Sequence, residues 1–171
     1  MNGGQIIINY QLLTLILPSV VSIISIAISY YLGLKAKDRE YYKNNLSERY
    51  EKAYVPITRL LIEDLQNYPI FIRDRNTALK YSEIIINNIN HYESETWEIY
   101  PAYYHSYMEF MGIVKIRPNL QPQFPYINEH FINLILSILQ EGSEISKELS
   151  KPDICSYLYN HIYRSCMPPK G

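Results

Sequence analysis

The chain opens on a stretch with no polar period at all. From Asn2 to Leu34 no residue is charged, and Leu12 to Leu34 (LLTLILPSVVSIISIAISYYLGL) is apolar apart from hydroxyls. About 20 helical residues suffice to cross a hydrocarbon core, so the pattern predicts one transmembrane helix. Pro18 is tolerable in such a helix, where neighbours resatisfy the freed carbonyl. A cleaved signal peptide is the competing reading, with the small residues Ser25 to Ala27 as its cleavage site. Against it, no Lys or Arg precedes the apolar stretch, where a signal peptide carries its positive n-region.

After Leu34 the pattern becomes helical. Tyr42, Leu46, Tyr50 and Ala53 recur at three- and four-residue spacing, predicting a polar stalk helix over 35–54. Pro56 should kink or restart it and push Val55 out of the helical region. Ile57, Leu60, Leu61 and Leu65 form an apolar face that Asn67-Tyr68-Pro69 interrupts, and Ile70-Phe71-Ile72 is a possible short strand. Asp74 or Asn76 caps a helix over 77–93 that buries Leu79, Ile85, Ile86 and Ile89. A further helix over 95–112 aligns Trp97, Tyr100, Tyr104, Tyr107 and Met111 on one face, with Pro101 near its start. Pro118, Pro122 and Pro125 mark a loop. Phe131, Leu134, Ile135, Ile138 and Leu139 make the most apolar soluble helix, ending near Gly142 or running on through Ile145 and Leu149. Ser150 or Asp153 starts the last helix, with Ile154, Leu158 and Ile162 inward, before Pro168-Pro169. The expected fold is therefore mainly α: tail and transmembrane anchor over 1–34, a juxtamembrane stalk over 35–56, and a small helical bundle over 57–171.

Charge supplies an orientation. Lys35, Lys37, Arg39 and Lys43 follow the span directly, and Lys and Arg near a span set topology while acids count for little. The soluble part is then expected in the cytoplasm, beneath a cell (inner) membrane crossed once, with the N-terminus outside. Tyr30 and Tyr31, with Tyr10 at the other end, suit the lipid interface. A net charge of -1 offers no field for nucleic acid, so none is expected as a partner. The 18 tyrosines, with abundant Ile and Asn, fit an AT-rich bacterial or phage coding bias. Cys155 and Cys166, about 16 Å apart on one helix, are too distant to bridge each other.

Candidate chemistry is sparse. His91 with Glu95, and His105 with Glu109, each set an imidazole and a carboxylate on one helix face. A di-iron bundle would need Glu-x-x-His with two further glutamates, a spacing absent here, so solvated ion pairs are the expectation and no metal or other cofactor is predicted. Nucleophile elbow, phosphate loop, H-E-x-x-H and C-x-x-C patterns are all missing. Trp97, Tyr100, Tyr104 and Tyr107 form a possible ligand or partner face, although a tyrosine-rich core accounts for them more simply.

The span itself is more informative. Ser19, Ser22, Ser25, Ser29 and Gly33 fall on one side of the helix at about 100° per residue, with Thr14 nearby. Small faces let helices approach closely in lipid, although serine is also tolerated in a span by bonding its own backbone. The sequence thus points to a non-catalytic, membrane-anchored interaction or assembly protein, as a homo-oligomer or with a partner membrane protein. One alternative is a membrane-acting effector (toxin, lysis or phage-defence component) whose helical domain regulates its span. The other is a membrane-surface enzyme using the His91 and His105 region.

Overall fold

The computed structural model describes the backbone of residues 3–65, 71–116 and 125–166, and the side chains of 16–65, 71–112 and 126–166. The side chains of Tyr10, Thr14 and Pro125, the break at Asn67-Tyr68-Pro69, Ile70, and Pro118, Pro122, Pro168 and Pro169 lie outside those sets. The described residues are mainly helical and contain no strand. Phe71 and Ile72, expected in a short strand, belong to no regular element. Instead Ile72 is buried and its N–H donates to Asn128 Oδ1 at 2.8 Å.

Two compact units divide the chain, residues 1–44 and 45–171. The first is carried by helix α1 (Gly3–Arg49), the one helix among the described residues long and apolar enough to cross a membrane. Residues 16–45 are exposed throughout, with Ile23 and Ile26 at 66% and 69%.

In the second unit α1 ends by burying Leu46, and a π-helical turn (Tyr50–Tyr54) follows. Val55 N–H bonds Tyr50 O, five residues back. Helix α2 (Val55–Asp64) then starts with Pro56 in its first turn, where a missing donor costs least. Val55 is helical (φ -62, ψ -44), not extended as a residue before proline is expected to be. The wider π turn absorbs the proline without displacing it.

Helix α3 (Arg75–Asn87) is shorter than the periodicity suggests, because a 3-10 turn (Ile89–His91) replaces its last part. Asp74 is its cap, accepting from Thr77 N–H at 2.7 Å, and that backbone bond holds the carboxyl below its ordinary range. Leu79 and Ile86, expected inside, are exposed at 40%; Ala78, Tyr81, Ser82 and Ile85 take the buried side. A hydroxyl can stand there because it is satisfied: Tyr81 donates to Asp64 at 2.8 Å and Ser82 bonds Tyr103 at 2.6 Å.

Helices α4 (Ser94–Ile116) and α5 (Pro125–Glu148) run antiparallel. Their register is fixed by Thr96 with Ser137 at 2.9 Å and Ser106 with His130 Nδ1 at 2.6 Å. Helix α5 passes through Gly142 to Glu148. It closes with the two backbone bonds of a Schellman cap, Ser150 N–H to Lys147 O and Lys151 N–H to Ser146 O, with Ser150 at φ 55 where glycine is usual. Gly142 serves packing instead, since a Cβ there would meet Cys155 Sγ at 2.8 Å and Tyr54 Cδ1 at 2.9 Å. Asp153 begins α6 (Ile154–Cys166) by accepting from Ser156 N–H at 2.8 Å. Leu158 and Ile162 are buried as expected, but Ile154 is 45% exposed and Cys155 takes the inward position. Burial pushes the Cys155 thiol up to about 11, and Cys166 is free as well.

Candidate functional site

The serine side of α1 stands exposed in the isolated chain. Ser19, Ser22, Ser25, Ser29 and Gly33 are all open, and a Cβ on Gly33 would meet nothing within 4 Å. Ser22 Oγ donates to Pro18 O at 2.8 Å, the bond to the carbonyl four residues back by which a serine hydroxyl is satisfied within its own helix. Lys35, Lys37, Arg39 and Lys43 are exposed further along the same helix.

The aromatic residues of α4 do not share one environment. Tyr107 is buried, Tyr100 half-buried, and Trp97 and Tyr104 are exposed at 45% and 40%. They form a ladder from surface to core: Tyr100–Tyr104 at 5.7 Å between ring centroids, Tyr104–Tyr107 at 6.3 Å, Tyr107–Tyr103 at 6.2 Å, and Tyr103–Phe131 at 6.0 Å. Such pairs add to packing beyond the area they bury.

The most concentrated polar chemistry lies elsewhere, around Glu141 of α5, which is 4% exposed. One carboxylate oxygen accepts from Tyr54 OH at 3.0 Å and from Glu93 N–H at 3.0 Å; the other accepts from Thr96 N–H at 3.2 Å. Glu93 and Thr96 occupy the N-cap and N3 positions of α4, the two N–H groups that a capping box serves from within its own helix. Here a carboxylate from a different helix serves both, and its charge opposes the positive end of the α4 dipole. Arg49 completes the cluster: its Nε donates to His91 O at 3.0 Å and its guanidinium meets Glu93 at 3.3 Å. Burial first, and then the Glu141 charge, raise the Tyr54 phenol far above its ordinary value. The Tyr92 ring packs edge-on against Tyr54 at 5.7 Å, and its buried hydroxyl has no hydrogen-bond partner among the described residues. Hydrogen bonds from three separate segments hold the Glu141 carboxylate, and burial opposes ionisation of the Tyr54 and Tyr92 phenols, an arrangement suited to locking geometry.

Sequence reasoning passed over Glu141, although a signal was present. At spacings of four, three and four, Leu134, Ile138, Glu141 and Ile145 share one stripe, so the acid stands in the middle of the apolar face. Arg49 and Tyr54 carried no comparable signal.

The two histidine pairs are not brought into one centre by any contact seen here. His105 Nδ1 lies 3.8 Å from Glu109 with both side chains well exposed, while His91 contributes its backbone carbonyl to Arg49. No group of three or more His, Cys, Asp or Glu with metal-binding geometry occurs among the described residues. Comparison with known protein families, curated proteins and solved structures finds no match to this chain.

Proposed function

We propose that the chain is a single-pass membrane protein in which α1 anchors a helical bundle at the cytoplasmic surface, where it serves assembly and not catalysis. The observation that carries this reading is the uncharged, fully exposed run Ile16–Leu34 of α1. A helix that is apolar all round and meets no core of its own chain has its natural solvent in lipid. The residues from Lys35 to Lys43 set the bundle on the cytoplasmic side. Serines along α1 offer a close-packing face to a second copy or to a partner span. No nucleic acid and no cofactor enter the reading.

Topology is tested by a membrane-impermeant thiol reagent on intact cells. Cys155 is fully buried and would stay unlabelled on either side, whereas half-buried Cys166 is open to the reagent, so the test uses a cysteine placed at exposed Glu144 in a Cys166→Ser background. Glu144→Cys should label only after lysis; labelling of intact cells would reverse the orientation.

Assembly is tested by Ser22→Leu with Ser29→Leu. Two isobutyl groups at a close approach should weaken crosslinked oligomers while insertion improves, because leucine favours the membrane and serine does not. Each interhelical hydroxyl bond contributes only about 0.6 to 2 kcal/mol, so the expected result is partial loss. Val20→Leu with Ile24→Leu should change nothing. Oligomers of the serine variant equal to wild type at equal abundance would remove the assembly face. Growth arrest and loss of membrane potential on expression would put a membrane-acting effector in place of an assembly protein.

A further inference from the structure

Lys35, Arg39 and Lys43 recur at intervals of four along α1, so at about 100° per residue they share one face about 80° wide. Asp38 and Glu40 fall about 100° to either side of its centre, and Lys37 lies behind it. All six side chains are exposed, and no ion pair joins any of them among the described residues. Orientation of a span needs only Lys and Arg near its end, on any side of the helix. A face from which both nearby acids are turned away goes beyond that need, and it offers concentrated, unneutralised positive charge to an anionic surface.

The face begins one residue after the uncharged run ends at Leu34. Exposed Tyr31 and Tyr42 border it on one edge, and such rings suit the lipid interface. Along the axis Arg39 lies about 6 Å and Lys43 about 12 Å beyond Lys35. The headgroup layer they meet is about 5 to 8 Å deep, and charge is felt for about 8 Å further. Direction adds to reach. Helical Cα–Cβ bonds tilt toward the N-terminus, and the span is the N-terminal neighbour of this face, so all three side chains lean back toward the bilayer.

We infer that the face of Lys35, Arg39 and Lys43 binds the headgroup phosphates of anionic phospholipids, gathering them around the cytoplasmic end of the span. The inference rests on α1 being a membrane anchor, as proposed above. One basic residue near a negatively charged leaflet gives about a fivefold preference. The serine side is centred about 100° from this face, so a close-packed second helix and bound lipid occupy different sides of α1.

The test reconstitutes the full chain in phosphatidylcholine vesicles with a trace of spin-labelled phosphatidylglycerol or, separately, spin-labelled phosphatidylcholine. Electron paramagnetic resonance then reads the lipid fraction restricted at the protein. Phosphatidylglycerol should be favoured about threefold or more, less than a single basic site would give, because lipids all round the span are averaged. Lys35→Gln with Arg39→Gln and Lys43→Gln should bring the ratio close to one, as should about 1 M salt, where the Debye length falls to about 3 Å. Arg59→Gln with Lys80→Gln and Arg164→Gln removes three exposed cations of the second unit and should leave the ratio unchanged. Both leaflets carry the same lipid, so a changed orientation of the first triple variant does not enter the result. A chain that co-floats with the vesicles but restricts the two lipids equally overturns this inference and leaves the anchor standing, its cations serving orientation alone. An equal loss in the two triple variants overturns it as well, by tracing the preference to net charge. A chain that fails to co-float overturns the anchor and the inference together.

Discussion

Replacing Glu141 by alanine is expected to destabilise the helical unit by about 3 to 5 kcal/mol, the range found when one member of a buried charged network is removed. The substitution leaves the N–H groups of Glu93 and Thr96 without an acceptor and Tyr54 OH with only its long 3.5 Å contact to His91 O, and a buried donor left unpaired costs about 1 to 3 kcal/mol before relaxation. It also strips the α4 N-terminus of its counter-charge. For a unit of this size the shift in Tm should be roughly 10 to 20 °C. Thermal unfolding of the full chain in detergent measures it, with Glu144→Ala as the exposed control on the same helix, expected within about 0.5 kcal/mol of wild type. Glu141→Gln should fall between the two, because the amide keeps one acceptor but turns its NH2 toward backbone donors. Equal unfolding of Glu141→Ala and Glu144→Ala would show that the cluster holds nothing together.

Local pattern and tertiary partnership explain what was legible in this sequence. Helix α5 announces itself, since Phe131, Leu134, Ile135, Ile138 and Leu139 define one buried side and all five are buried. The apolar span is equally plain, because charge is absent for a length that no surface helix sustains. In α3 the same logic misplaces the core. The apolar side chains Leu79 and Ile86 face out, while Tyr81 and Ser82 face in, because Asp64 and Tyr103 await their hydroxyls from other helices. A hydrophobicity pattern has no means of knowing that a polar group will be paired. Glu141 is the same effect at a larger scale, its donors coming from residues 54, 93 and 96. Gly142, readable as a helix stop, is mid-helix because Tyr54 and Cys155 need the space. The serine side of α1 and the aromatic residues of α4 can be placed on their helices from sequence, but that Tyr107 is buried with Tyr103 and Phe131 while Trp97 and Tyr104 stay exposed depends on where α5 packs.

Arginine at both Ile23 and Ile26 should separate a lipid-embedded helix from an exposed one more sharply than any other change. These two side chains are among the most exposed large apolar groups of α1, at 66% and 69%. If α1 stood in water, exchanging them for arginine would remove apolar surface from solvent and leave folding unchanged or improved. In a bilayer each arginine near the centre of a span costs about 2.5 to 3.5 kcal/mol of insertion free energy. The pair should therefore cost roughly 5 to 7 kcal/mol, reduced where a side chain snorkels toward an interface. Alkaline carbonate extraction reads the result: wild type stays in the membrane pellet, the double variant moves to the soluble or aggregated fraction, and Ile23→Leu with Ile26→Leu behaves as wild type. Intact mass of the membrane-bound wild type tests for a cleaved leader: the full sequence mass is expected, and a species lacking its first residues would replace the anchor by a leader. A double-arginine variant that remains fully carbonate-resistant would put α1 outside the bilayer, and an anchor would have to be sought elsewhere in the molecule.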